Sequence, residues 1–150
     1  MKVTIYFDMD GTMADLYAVD NWLDKLLSHD PTPYQEAKVM HNMSRLARRL
    51  NMCRNAGFDI KILSWLAGES TPEYDEQVAQ AKRQWIKKHL PSVEWSDMLF
   101  IPYGTPKSKF ADEHNLSVLF DDNRQMREEW PGEAYEPDEI FDILKKLMEQ

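Results

Sequence analysis

A chain of 150 residues, 43% hydrophobic with five tryptophans, has the length and apolar content for one folded domain with a sizeable core, which argues against a disordered chain. Its formal net charge of −8 disfavours non-specific attachment to nucleic-acid backbone or anionic membrane, and any anionic substrate must find local positive charge. The single cysteine, Cys53, allows no internal disulfide; no apolar run approaches a membrane span, and the amino terminus enters a strand with no signal-like hydrophobic region, so the expectation is a soluble cytoplasmic protein.

The chain opens on an apolar, β-prone run, residues 3–7, that passes directly into Asp8-Met9-Asp10-Gly11-Thr12. Two carboxylates one residue apart on a tight loop repel each other unless a cation lies between them, and a hard divalent ion suits oxygen donors. Residues 13–28 carry Leu16, Val19, Trp22, Leu23, Leu26 and Leu27 at helical spacing. The segment His29-Asp30-Pro31-Thr32-Pro33 breaks that helix. A second helix is expected over residues 34–55, with Met43, Leu46, Ala47, Leu50 and Cys53 inward and Gly57 as its stop. Residues 58–63 read as a buried strand ending at Ser64-Trp65. Residues 72–89 read as a helix with Pro72 in its first turn and Val78, Ala81, Trp85 and Leu90 on its inner side. Residues 98–101 form a third strand, 107–114 a short helix, and 117–120 a fourth strand ending in Asp121-Asp122. A helical turn over 124–129, a short strand at 134–135 and an amphipathic helix over 137–148 complete the chain.

Strands alternating with helices point to an α/β fold: a Rossmann-like three-layer sandwich with a mainly parallel sheet, residues 1–150 forming a single domain. The first connection is longer than one crossover helix needs. Its surplus, about residues 14–41, is expected as a small helical cap over the acidic loop. In a parallel sheet the carboxyl ends of all strands meet at one edge, where ligands bind. That edge would gather Asp8 and Asp10, Ser64, Lys107, and Asp121 and Asp122. These residue types suit phosphoryl transfer through an aspartyl-phosphate. One carboxylate attacks phosphorus and another protonates the leaving oxygen. A hydroxyl and an ammonium hold phosphoryl oxygens, and further carboxylates hold a metal. Of the two lysines near residue 107, Lys107 stands three and four residues before Phe110 and Ala111 on the inward face, whereas Lys109 points away. Pro106 suits the first helical position, with Thr105 as its cap.

The four motifs, DMDGT at residues 8–12, ILSW with Ser64 in the hydroxyl position, a lysine at a helix start, and FDD at residues 120–122, resemble in order those of the haloacid dehalogenase-like hydrolase superfamily. The resemblance covers essentially the whole chain. It implies Asp8 as nucleophile and Mg²⁺ ligand, and Asp10 as general acid and base with its backbone carbonyl on the metal. It implies Ser64 and Lys107 on the phosphoryl group, Asp121 as a metal ligand, and Asp122 as a further ligand or support. DMDGTMADL and the closing stretch from FDDN to PDEI are similar to the 5'(3')-deoxyribonucleotidase-like branch, with Leu16 where an aromatic residue is common and a much shorter cap. The expected activity is therefore a Mg²⁺-dependent phosphatase for nucleotides or similar small phosphates.

Two alternatives carry different chemistry. A nucleic-acid 3'-phosphatase is disfavoured by the acidic balance. A receiver-like phosphate-sensing module would place its carboxylate after the third strand, which here ends in Phe100-Ile101-Pro102. No phosphate-binding P-loop is present to support a kinase. The four histidines show no ligand spacing, and Cys53 lies on an apolar helical face. Tyr17, Trp22, Tyr34 and Trp65 have two readings, packing between cap and body or a stacking wall for a planar leaving group.

Overall fold

The computed structural model describes residues 2–149. Along the chain run β1 (Val3–Phe7), β2 (Ala14–Asp15), α1 (Trp22–Leu27), α2 (Thr32–Glu36), β3 (Lys38–Val39), α3 (Met43–Asn55), β4 (Asp59–Trp65), α4 (Pro72–His89), β5 (Asp97–Ile101), β6 (Leu116–Phe120), α5 (Arg124–Glu129), β7 (Glu133–Tyr135) and α6 (Ile140–Met148). Turns of 3₁₀ helix lie at Leu16–Ala18, Lys107–Phe110 and Pro137–Glu139.

Five strands form one parallel sheet in the order β5-β4-β1-β6-β7. β1 is central, with Ile5 opposite Ile60 on one side and Val118 on the other. Both of its faces are buried, which explains its unbroken apolar character. Val3, Ile5 and Phe7 join Ile60, Ile62, Val118 and Phe120 beneath Leu46 and Leu50 of α3, Ile140 and Leu144 of α6, and Trp85 of α4. Tyr6, Leu63 and Leu119 face the other way, packing with Trp130 and the half-buried Phe110. Helices thus flank the sheet, and the fold is the expected Rossmann-like α/β sandwich. Among the described residues, no helix is long and apolar enough to cross a membrane.

The first connection departs from the helices expected for it. The spacing predicts one helix over residues 13–28, but only Trp22–Leu27 is α-helical. Ala14 and Asp15 instead pair antiparallel with Val39 and Lys38, and the Met40 N–H donates to the Met13 carbonyl at 2.9 Å. This ladder occupies backbone groups that a helix would need. The same pairing splits the expected helix over 34–55 into α2 and α3. α3 starts where the Asn42 side chain accepts the Arg45 N–H at 3.1 Å. The inserted segment builds a small core of its own, with Leu16 and Tyr34 against Ala67, Tyr74, Val78 and Ala81, so it rests on the first half of α4.

Two further expectations need correction. The helix over 107–114 contracts to one 3₁₀ turn, Lys107–Phe110. Pro106 is extended (ψ 120°), and the Thr105 hydroxyl donates to the Pro102 carbonyl rather than capping the turn. The closing helix begins as a 3₁₀ turn with a Glu136–Glu139 capping box before α6.

Candidate active site

Asp8 follows β1 directly. Its N–H donates to the Phe120 carbonyl at 3.0 Å, carrying the ladder one residue past the strand and releasing the side chain at the sheet edge. The carboxylate is gripped from two sides: the Lys107 ammonium donates to Oδ1 at 3.0 Å, and the Thr12 hydroxyl donates to Oδ2 at 2.9 Å. Thr12 Oγ1 also accepts the Asp122 N–H at 3.2 Å, which ties the first and last acidic segments together. Lys107 donates a second bond to Asp121 Oδ2 at 2.7 Å, while Asp121 Oδ1 accepts the Asn123 N–H at 2.9 Å. Lys107 and Asp121 are both buried, and Lys107 also lies over the Trp65 ring, 5.4 Å from its centre. Lys109 is exposed.

Charge explains this arrangement. Burial opposes ionisation of Asp8, but Lys107 overrides it and holds the carboxyl below its usual range. Burial likewise opposes the Lys107 charge, and Asp8 and Asp121 raise its affinity for the proton. Asp121 is pushed up to about 6, by burial first and the Asp8 charge second. Asp122, whose carboxyl is packed over Gly11, moves up for the same two reasons. One ammonium does not balance three carboxylates. Asp8, Asp121 and Asp122 each offer an oxygen within 4.8 Å of the others, a hard-oxygen donor set that suits a divalent cation. The Asp10 carboxylate is not part of that set.

Gly11 makes this approach sterically possible. It has φ +80°, and a Cβ there would come within 2.2 Å of Asp122 Oδ2.

Asp10 and Ser64 meet in a second cluster, centred on a residue the strand-end argument missed. Lys82 of α4 is 1% exposed. Its ammonium donates to Asp10 Oδ2 at 2.8 Å, to Ser64 Oγ at 2.7 Å and to the Trp65 carbonyl at 2.7 Å. Burial pushes the Asp10 carboxyl up, and Lys82 partly offsets that. The signal was present in the sequence: Lys82 lies four after Val78 and three before Trp85, on the inward stripe of its helix. A lysine on such a stripe calls for buried partners. Thr12 was the other omission, a buried hydroxyl four residues after Asp8.

A cleft of about 750 Å³ opens above both clusters. Asp8, Asp10, Lys107, Asp121 and Asp122 are on its floor, and the inserted segment supplies Tyr17, Trp22, Leu23 and Leu27 as a wall. Ser64 is fully buried and does not line it. The four aromatic candidates separate. Tyr34 is buried, 5.1 Å from Lys82 to its ring centre, and Trp65 Nε1 donates to the Thr105 carbonyl at 2.8 Å, so both are anchored by packing while also lining the cleft. Tyr17 is half-exposed beside Trp22, and Tyr103, from the loop after β5, is 66% exposed on the same cleft. A scan against protein-family models matches no family, and a search of curated proteins finds no match.

Proposed function

We propose that the protein is a Mg²⁺-dependent phosphomonoester hydrolase of the haloacid dehalogenase-like kind, acting through an aspartyl-phosphate on Asp8. The observation that carries this reading is the Asp8 carboxylate on the floor of a cleft, kept ionised by Lys107, with a second carboxylate, Asp10, facing the same space. In the first step an Asp8 oxygen bonds to phosphorus, the ester P–O bond breaks, and Asp10 gives its proton to the departing oxygen. In the second, Asp10 takes a proton from water as that water attacks phosphorus and the bond to Asp8 breaks, releasing phosphate. Lys107 holds Asp8 in place and counters the charge on the phosphoryl oxygens. Ser64 is buried and accepts from Lys82, so it acts on the site through that ammonium and does not line the cleft. Mg²⁺ held by Asp8, Asp121 and Asp122, with the Asp10 backbone carbonyl, would supply further neutralisation of that charge.

The substrate class follows from the walls. The cleft is of a size that takes small ligands. Among its described lining residues Lys107 and Arg124 are the only lysine or arginine side chains, too few for a nucleic-acid backbone. Tyr17, Tyr103, Leu23 and Leu27 favour an apolar or planar leaving group, as in a nucleoside monophosphate. The test is turnover of p-nitrophenyl phosphate and a panel of nucleoside and sugar monophosphates with Mg²⁺. Asp8→Asn should lose at least about 1,000-fold in kcat, in line with the weight of a lost nucleophile. Wild-type rates in that variant would refute the mechanism.

A further inference from the structure

We propose that Lys82 is a positioning residue for phosphoryl transfer, holding Asp10 with one carboxylate oxygen anchored and the other turned to the leaving group. This rests on the phosphatase reading and adds to it a group outside the four motifs.

The donor inventory decides the point. An ammonium has three N–H bonds and no acceptor. All three are used at 2.7–2.8 Å, on Asp10 Oδ2, Ser64 Oγ and the Trp65 carbonyl. Two of these acceptors, Ser64 Oγ and the Trp65 carbonyl, belong to the carboxyl end of β4, so Asp10 is fastened to the neighbouring strand. Tyr34 of the inserted segment covers the ammonium, and the stem lies on the buried stripe of an 18-residue helix. Lys82 does not line the cleft, whereas Asp10 does. With Oδ2 occupied, Oδ1 of Asp10 is the oxygen left to carry the proton. As Asp8 bonds to phosphorus and the ester bond breaks, the Oδ1 proton passes to the leaving oxygen, and the Lys82 proton count does not change. A misplacement of about 1 Å at such a group is enough to cost about 100-fold.

The experiment compares two esters of nearly the same shape, phenyl phosphate and p-nitrophenyl phosphate. Phenol is a poor leaving group that needs the proton, and p-nitrophenol, a much stronger acid, leaves with little help. The quantity is kcat/KM, which reports the steps up to departure of the alcohol and not the later hydrolysis of the aspartyl-phosphate. Lys82→Met keeps the stem and deletes the donors. It should lose about 100-fold or more on phenyl phosphate, the lower range for general-acid catalysis, and less than about 10-fold on the p-nitrophenyl ester. Lys82→Gln, measured alongside in case the methionine variant does not fold, should move the ratio in the same direction. On an Asp10→Asn background neither change should alter the ratio further. Equal losses on both esters in a folded variant, or no loss on either, would overturn the role of Lys82 while leaving the phosphatase reading intact. A wild-type protein that hydrolyses neither ester would remove both.

Discussion

Lys107 is the one buried positive charge among three carboxylates, and deleting it has a cost that can be bounded. Lys107→Met keeps the stem over Trp65 and removes both ion pairs, to Asp8 at 3.0 Å and to Asp121 at 2.7 Å. Breaking a buried pair by removing one partner costs about 3–5 kcal/mol. A second route bounds the share that falls on Asp8, because an unpaired buried carboxylate takes up a proton instead. For a carboxyl with an ordinary value of 3.8, protonation at pH 7 costs about 4 kcal/mol at ~1.36 kcal/mol per unit, and at pH 5 about 1.6 kcal/mol. The sign is consistent. Wild-type Asp8 is held low, so its contribution is present above 3.8 and lost as the pH falls through its folded value. In the variant the folded carboxyl is raised, so stability is lost as the pH rises above 3.8. The deficit must therefore shrink on acidification. Urea unfolding in chelator should show Lys107→Met less stable by about 4 kcal/mol at pH 7 and by about 1.6 kcal/mol at pH 5. Added Mg²⁺ should recover part of the loss at pH 7. A deficit that is the same at both pH values, or below about 1 kcal/mol at pH 7, would refute this account of the charge cluster.

Other perturbations test other parts of the molecule. Gly11→Ala places a Cβ in a left-handed backbone at a cost of about 1–2 kcal/mol and pushes the Asp122 carboxylate aside; Mg²⁺ affinity by calorimetric titration should fall at least about 10-fold, the low end for disturbing a metal site's supports. Mg²⁺ at about 100 times its dissociation constant should stabilise the wild-type protein by about 2.7 kcal/mol in thermal unfolding, and Asp121→Asn should abolish most of that gain. Gly132→Ala would bring a Cβ within 2.1 Å of the Ser117 carbonyl oxygen on β6; a loss of about 2 kcal/mol or more is expected in urea unfolding, with activity per folded molecule unchanged.

What could be read from the sequence followed physical periodicity. α4 was legible to both ends because Pro72 marks its first turn, Pro91 follows its stop and its apolar residues recur at three and four. The sheet was legible because its central strands are apolar on both faces, and the choice of Lys107 over Lys109 came from the same spacing rule. The neck of the insertion was not legible. Two-residue strands have no periodicity, and the pairing of Ala14 with Val39 depends on chain reversal in space. Asn42 was a readable cap that the longer apolar pattern obscured. Lys82 carries no strand-end signal, because this group reaches the edge from the middle of a helix.

That neck also separates two kinds of change open to the chain. Residues 16–37 hang from a two-rung ladder, Ala14 to Val39 and Asp15 to Lys38, whose ends are fastened whatever lies beyond them. Doubling a flexible loop costs only about 0.6 kcal/mol in closure entropy. A graft at Asp15 and Lys38 could therefore lengthen the wall of the cleft or replace Tyr17, Leu23 and Leu27. The anchors that must survive are Leu16 in its small core, Tyr34 over Lys82, the Asp30 carbonyl that accepts from the Tyr74 hydroxyl at 2.9 Å, and the Ala37 carbonyl that accepts from Trp85 Nε1 at 2.7 Å. With these kept, selectivity can be exchanged as a cassette while the carboxylates and lysines beneath stay in register.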